Sequence, residues 1–391
     1  TWEKNDRKHL DKKNNFLDYN FSEEILFTGQ ASGIDDIRNG LYNTIDFSET
    51  SEGKNEQEIL KREWQPRNFF ENPDIVRGSL YHTIASKIEM LFARYDILVR
   101  FYLLRIFSVL LGTFAVLFSF LIARTVGFDR ISSLLFAGLV AFQPKFSMYT
   151  TNINYDALFI PLFFLFTWSG TLALRDGLNW KNASIMLFAL ALGLLTKGTA
   201  IILLVAFLGI IGYTLFGKLA HSKKLAISGI FFLTILFAAY SVLETRYPLS
   251  RLLPLKGSPT EIVFSLGDYL QESLTPGRFA LSSRTYWGTL DWNRSALTSH
   301  FTDFLWPIEA VATIGLILLL FSRNKPRFLP EKKFIVFLMG MILALQFGIR
   351  LADWNVFAAT GSLDLGTPGR YFLPNLATHL ILVFAGFGMI L

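Results

Sequence analysis

Hydrophobic and polar positions divide the chain into two parts. From Thr1 to about Tyr95 the sequence is polar and mixed in charge, with runs at 4–8 and 49–62 that cannot enter a hydrocarbon layer. From residue 101 onward, apolar runs approach the roughly 20 residues that an α-helix needs to cross a bilayer. Such runs must be helical, because backbone groups without hydrogen bonds are very costly in lipid. The pattern predicts an all-α, polytopic membrane protein.

Nine apolar segments are predicted to span the bilayer. In chain order they are 101–126, 131–146, 157–174, 184–195, 199–216, 225–243, 304–321, 334–349 and 371–391. Only Thr196, Lys197 and Gly198 separate the fourth segment from the fifth. These two segments therefore form either a tight hairpin with Lys197 at its apex or one kinked span.

Basic residues in the short loops predict the orientation of the chain, because Lys and Arg accumulate on the cytoplasmic side. With the hairpin, the basic loops on one side are 124–130, 175–181, 218–224 and 323–333. One kinked span would place the Lys-rich loop 323–333 outside, which favours the hairpin. The predicted domains are an extracytoplasmic segment at 1–95 and a transmembrane helical domain at 96–391, with a second extracytoplasmic loop at 244–303. We expect this arrangement in a bacterial plasma membrane.

The composition agrees with a membrane protein. Of the 391 residues, 52% are hydrophobic, 17% are charged and 39 are phenylalanine. Cysteine is absent, so disulfides, thiolate metal sites and a cysteine nucleophile are excluded. The net charge of +6 comes without an aromatic and basic binding pattern, so we expect no nucleic-acid partner. Because the chain starts without Met and ends within an apolar run, we expect a fragment of a longer protein.

Polar residues at the outer membrane boundary are the most informative, because a charge persists there only if it is paired, solvated or bound to a ligand. Asp156 follows the polar stretch 150–155 and precedes an apolar helix. It is the N-cap of that helix, part of a substrate or metal site, or both. Lys197, at the predicted apex, either binds a lipid-linked phosphate or extends its amine to the lipid headgroups.

Two further motifs combine arginine with aromatic rings. Arg370 and Tyr371 open the last predicted span. The planar fork of Arg370 suits a phosphate, and an interfacial anchor is the alternative. Arg284 and Trp287 lie in the second outer loop, where aromatic rings beside polar groups suit the face of a sugar, although interfacial belts use the same residues.

Six short motifs together resemble the GT-C superfamily. They are Leu80-Tyr81-His82, the run 105–112, Asn154-Tyr155-Asp156, Thr196-Lys197-Gly198, Tyr286-Trp287-Gly288 and the run 369–374. Members of this superfamily are multi-spanning glycosyltransferases that use polyprenyl-phosphate sugars. Within it, the chain looks most like a bacterial group of uncharacterised membrane proteins. The resemblance covers roughly 72–391.

The resemblance implies an inverting reaction on the extracytoplasmic side. A sugar would move from a polyprenyl-phosphate donor in the membrane lipid to a saccharide or protein acceptor. Lys197 and Arg370 would contact the leaving phosphate, with Arg284, Trp287 and Tyr371 as further substrate-binding residues. Neither a metal nor a cofactor is assigned.

The catalytic base is less directly implied. The superfamily places an acidic residue shortly after its first transmembrane helix, and the sequence shows no such helix before Thr1. Asp35 and Asp36 therefore stand as substitutes, together with Asp156 as a third catalytic candidate. Asp156 and Asn154 are also expected to line the cavity.

Two other functional classes remain open. A transporter or a flippase for lipid-linked saccharides would also have many spans, but it is expected to carry internal repeats and ionisable residues in mid-membrane. A non-catalytic assembly protein would need no polar cluster at the helix ends. The charges at the outer boundary favour the glycosyltransferase.

Overall fold

The structure is a computed structural model and describes residues 79–95, 97–218, 264–288, 299–322, 326, 328–361, 363 and 369–391. Over these ranges the chain is helical and contains no strand. The α-helices are α1 (Leu80–Leu91), α2 (Ile97–Val126), α3 (Arg130–Phe142), α4 (Pro144–Thr151), α5 (Asp156–Asp176), α6 (Trp180–Thr196), α7 (Ile201–Lys218), α8 (Leu266–Ser273), α9 (Pro276–Trp287), α10 (Ser299–Phe321), α11 (Lys332–Thr360) and α12 (Leu376–Ile390). Two 3-10 helices are η1 (Gly198–Ala200) and η2 (Gly369–Asn375).

Several helices are long and apolar enough to cross a membrane, which confirms the predicted all-α, polytopic fold. The candidate spans are Leu98–Val126, Asp156–Asp176, Phe304–Phe321, Lys332–Trp354 and Gly369–Ile390. A sixth results if the bent pair α3 and α4 is one span. The predicted count of nine is not confirmed, because α6 and α7 are shorter and the segment 225–243 lies outside the described residues.

The predicted span 131–146 is wrong as a single helix. The chain bends by 65° between α3 and α4. Gln143 adopts extended backbone angles of φ −65° and ψ 119°, as expected for the residue before a proline, whose ring disfavours the helical conformation there. Pro144 then occupies the first turn of α4, where its missing N–H costs no hydrogen bond.

The hairpin at Lys197 is confirmed. At one end of α5 and α6, the Ser169 hydroxyl donates to the backbone oxygen of Asn182 over 2.8 Å, so the two helices run antiparallel. At the other end, a methyl group placed on Gly193 would lie 3.7 Å from Cδ1 of Leu203. Ten residues of one straight helix would keep Gly193 and Leu203 about 15 Å apart. The chain therefore reverses direction between α6 and α7.

The helix α5 is the most buried candidate span, with 83% of its apolar window inside the structure. Its side chains belong to two packed clusters. On one side Phe159, Phe163 and Phe166 pack with residues of α6, α7 and α11. On the other side Ile160 and Phe164 pack with residues of α2 and α12. This packing fixes the beginning of α5, where the site is found.

Compact units divide the chain at Leu104. In the described part of the first unit, Arg100 donates from Nη1 to Oε1 of Glu89 over 2.9 Å and so ties α2 to α1. All elements of the site described below belong to the second unit, which begins at Arg105. The predicted domain limits and the sides of the two long loops stay predictions.

Candidate functional site

Lys197 and Asp156 form a buried ion pair. Lys197 follows the last turn of α6, and its backbone N–H donates to the oxygen of Gly193 over 2.8 Å. Its Nζ lies 2.7 Å from Oδ1 of Asp156, the first residue of α5. Their side chains are only 12% and 6% exposed. A lysine that extended its amine to the headgroups would be more exposed, so that alternative does not describe Lys197.

Three aromatic rings surround the Lys197 amine. The Nζ atom lies 5.0 Å from the ring centre of Tyr155, 5.5 Å from that of Phe159 and 5.0 Å from that of Tyr371. Ammonium groups within about 6 Å of a ring face are attracted by its negative centre. The rings and Asp156 therefore hold the positive charge of Lys197 in one place.

Arg370 shares Tyr371 with Lys197. In η2, Nη2 of Arg370 donates to the Tyr371 hydroxyl over 2.9 Å, and the guanidinium carbon lies 4.8 Å from the Tyr371 ring centre. Nη1 donates to the Tyr149 hydroxyl over 3.4 Å. The third nitrogen, Nε, is buried and has no acceptor within the described ranges. The predicted phosphate contacts Arg370 and Lys197 thus lie against one common ring.

A third cation, Lys145, was missed by the sequence analysis. It is the second residue of α4 and is 6% exposed. Its Nζ lies 5.5 Å from the ring centre of Tyr149, the same tyrosine that accepts from Arg370. We call Lys145, Lys197 and Arg370 the cationic cluster. The signal that could have revealed Lys145 was its position directly after Pro144 at a helix start.

Asn154, rather than Asp156, satisfies the start of α5. Oδ1 of Asn154 accepts from the backbone N–H of Asp156 over 2.8 Å and from that of Ala157 over 3.3 Å. Its Nδ2 donates to the Tyr149 oxygen over 2.8 Å. The N-cap alternative for Asp156 is therefore wrong, because that carboxylate turns to Lys197. Asn154 shapes the loop that carries the site.

Tyr155 supplies a neutral phenol beside the cluster. Burial raises the pKa of Tyr155, and the nearby Asp156 carboxylate adds to this effect. The phenol therefore keeps its proton at neutral pH. Its ring faces the Lys197 amine, so it stabilises the cation without adding a negative charge.

Trp287 belongs to a different polar network. Its Nε1 donates to Oε1 of Glu309 over 2.9 Å, and its ring lies 5.1 Å from Tyr286 and 5.8 Å from His379 between centres. These contacts take up the polar edge of Trp287, and the predicted contact of its ring face with a sugar stays a prediction. Arg284 lies in the last turn of the same helix, α9.

Asp35 and Asp36 lie outside the described residues. In the part of the chain that the structure describes, no group of three His, Asp or Glu side chains is arranged to hold a metal ion.

A comparison with known proteins concerns the part of the chain that carries Lys145, Asp156 and Lys197. Residues 99–243 match the family model described as dolichyl-phosphate-mannose-protein mannosyltransferase, which is a GT-C family. The resemblance to the GT-C superfamily is confirmed. No curated protein and no solved structure gives a significant match. The GT-C match contains Lys145, Asp156 and Lys197, whereas Arg370 and Tyr371 lie beyond it. Residues 99–243 are thus similar to a family of membrane glycosyltransferases, and the apolar helices agree with a membrane protein.

Proposed function

We propose that the chain transfers a sugar from a polyprenyl-phosphate donor to a saccharide or protein acceptor on the extracytoplasmic side of the membrane, with inversion at the anomeric carbon. The observation that carries this proposal is the cationic cluster. Three cations from α4, from the turn after α6 and from η2 meet around Tyr149 and Tyr371. Arg370 and Asp156, the partner of Lys197, lie at the beginnings of two candidate spans, where we place the phosphate of a membrane lipid.

The charge of the cluster suits a departing phosphate. Asp156 contributes one negative charge beside the three cations. The donor phosphodiester carries a single negative charge, and a second one develops as the bond to the sugar breaks. Fixed cations stabilise this developing charge more than the charge of the donor, which is the condition for lowering the barrier.

The proposed transfer exchanges one bond of the anomeric carbon for another. The acceptor oxygen attacks the anomeric carbon and forms the new glycosidic bond. The bond between that carbon and the phosphate oxygen breaks, and polyprenyl phosphate leaves with the electron pair. The acceptor proton passes to a carboxylate base, for which Asp35 and Asp36 stay sequence predictions. Asp156 is engaged by Lys197 over 2.7 Å, so its part in this proposal is to orient that ammonium.

Sugar transfer in proteoliposomes tests the proposal. The full-length protein would receive a polyprenyl-phosphate sugar and an acceptor saccharide, and the free polyprenyl phosphate and the glycosylated product would be measured. We expect both products from the wild type and a loss of roughly 100- to 1,000-fold in Arg370→Ala, as for other preorganised donors at a developing charge. Arg175→Ala is the matched control, because Arg175 is exposed and pairs with Asp176 at the other end of α5. Movement of intact donor across the bilayer without cleavage would instead identify a flippase.

A further inference from the structure

The last turn of α9 makes hydrogen bonds to four other parts of the chain. We call residues 285–287 the α9 turn. The Thr285 hydroxyl accepts from the backbone N–H of Gly369 over 2.7 Å and donates to the Leu281 oxygen over 2.8 Å. A Cβ atom on Gly369 would overlap the backbone nitrogen of Tyr286. Gly369 is the residue directly before Arg370, so the α9 turn fixes the backbone from which Arg370 extends.

The opposite side of the α9 turn is held by ionisable residues of two membrane helices. The Tyr286 hydroxyl lies 3.1 Å from Nδ1 of His379 in α12. Trp287 donates to Glu309 of α10 over 2.9 Å, and His379 Nε2 lies 3.8 Å from the same Glu309 oxygen. Gln143, which lies between α3 and α4, donates from its side-chain amide to the Tyr286 backbone oxygen over 2.6 Å.

Glu309 and His379 both lie within candidate spans, at Phe304–Phe321 and Gly369–Ile390. Ionisable residues in a membrane interior are costly, so their presence calls for a function. The hydrogen bonds of both side chains join them to the α9 turn, at Tyr286 and Trp287. An apolar pair would pack there at lower cost but would leave the Tyr286 hydroxyl and the Trp287 N–H without partners.

We propose that Glu309 and His379 are positioning residues for the phosphate-binding Arg370, acting through the α9 turn and Gly369. This inference rests on the proposed function. Glu309 and His379 hold Trp287 and Tyr286 by hydrogen bonds. These two residues fix the neighbouring Thr285, whose hydroxyl accepts from the Gly369 N–H. The head group of Arg370 is then set by Tyr149 and Tyr371. The position of Arg370 matters because a shift of about 1 Å at a reacting group can cost about 100-fold in rate.

The test separates position from folding by paired substitutions. Thr285→Val removes the acceptor for the Gly369 N–H, and Thr285→Ser keeps it. Glu309→Leu removes the acceptor for Trp287, and Glu309→Gln keeps one. Thr167→Val is the matched control, because the buried Thr167 hydroxyl donates within its own helix α5, to the Phe163 oxygen over 2.9 Å. Each variant would be prepared as full-length protein, and its affinity for polyprenyl phosphate and its KM and kcat for the donor would be measured.

We expect Thr285→Val and Glu309→Leu each to weaken polyprenyl-phosphate binding by about tenfold, the scale of one lost buried hydrogen bond. The Ser and Gln variants should recover most of this loss, and Thr167→Val should bind like the wild type. Hydrogen exchange of the Gly369 amide should speed up in Thr285→Val and not in Thr285→Ser. The exchange measurement reports the hydrogen bond between Thr285 and Gly369 even if activity is low.

Two results would overturn the inference. In one, Arg370→Ala abolishes binding whereas Thr285→Val and Glu309→Leu bind like the wild type; the proposed function then stands and only the positioning role fails. In the other, the Ser and Gln variants lose as much as Val and Leu. If Arg370→Ala itself binds polyprenyl phosphate normally, the proposed function fails, and a faster Gly369 exchange in Thr285→Val would still show the mechanical link.

Discussion

Lys197 and Arg370 lie against the same phenol ring. The Lys197 amine is 5.0 Å and the Arg370 guanidinium carbon 4.8 Å from the ring centre of Tyr371. Lys197 comes from the hairpin apex and Arg370 from η2, so the fold brings together two cations that are far apart in sequence. Like charges do not gather without compensation, and here one carboxylate and neutral phenols supply part of it. Under the proposed function, an anionic ligand would add to this compensation.

Replacing Arg370 with lysine tests whether the planar fork matters or only the charge. Arg370 uses Nη1 and Nη2 for two tyrosine hydroxyls, and a lysine cannot reproduce this geometry. We expect Arg370→Lys to lower sugar transfer by at least about tenfold, since a bidentate arginine site does not accept lysine. Initial rates of transfer would be compared with those of Arg175→Lys. Arg175 forms an exposed ion pair with Asp176, so this variant should behave like the wild type. Equal rates in the Arg370→Lys variant and the wild type would show that the fork has no role.

The buried pair of Lys197 and Asp156 should respond asymmetrically to substitution. Lys197→Met leaves a buried carboxylate without its partner, which costs about 3–5 kcal/mol of stability. The double variant Asp156→Asn with Lys197→Met removes both charges, so most of this stability should return while sugar transfer stays lost. Thermal unfolding in detergent and transfer rates would be measured on the same preparations.

A double variant that regains transfer along with stability would contradict this role of Lys197. It would mean that the pair serves packing alone.

Lys145 should contribute to ligand binding although the sequence did not single it out. It is buried beside Tyr149, which also accepts from Arg370. Lys145→Met keeps most of the side-chain volume and removes the charge, so we expect polyprenyl-phosphate binding to weaken by about tenfold. Lys181→Met is the control, because Lys181 also lies over an aromatic ring, that of Trp180 at 5.9 Å, but is exposed. Equal affinities of the Lys145 and Lys181 variants would remove Lys145 from the site.

The hairpin at Lys197 could be predicted because its signals can be read directly along the sequence. Apolar runs of helical length on both sides and the distribution of basic residues sufficed. The break at Gln143 was equally accessible from Pro144, whose effect on the preceding residue is local. The prediction of one helix over 131–146 failed because hydropathy alone was counted across that proline.

The network of the site could not be predicted, since it depends on side-chain directions and long-range packing. Asp156 and Asn154 both suit a helix start, and only the position of Lys197 decides which one caps. The partner of Trp287 was equally hidden, because nothing local reveals that Glu309, on another helix, accepts its N–H. Lys145 became a site residue only when the fold placed Tyr149 beside Arg370.

Close packing of α10 against α12 should be sensitive to a single methyl group. A Cβ atom on Gly386 would overlap the backbone oxygen of Ala312. Gly386→Ala should therefore separate the two helices and lower the thermal unfolding temperature, with a cost of about 1–3 kcal/mol as for other overpacked cores. Gly340→Ala is the control, because space is open around Gly340 in α11. A Gly386 variant as stable as the Gly340 variant would contradict the packing described for these helices.

The most direct test of the cationic cluster compares polyprenyl phosphate with the corresponding uncharged polyprenol. Affinities of the full-length protein for both lipids would be measured in the same detergent, for the wild type, Arg370→Ala and the double variant of Asp156 and Lys197. We predict that the wild type binds the phosphate at least about 100-fold more tightly, since charge-assisted hydrogen bonds contribute about 1.5–3 kcal/mol each. Most of this preference should disappear in both variants. A preference for phosphate that is unchanged in both variants would contradict the account.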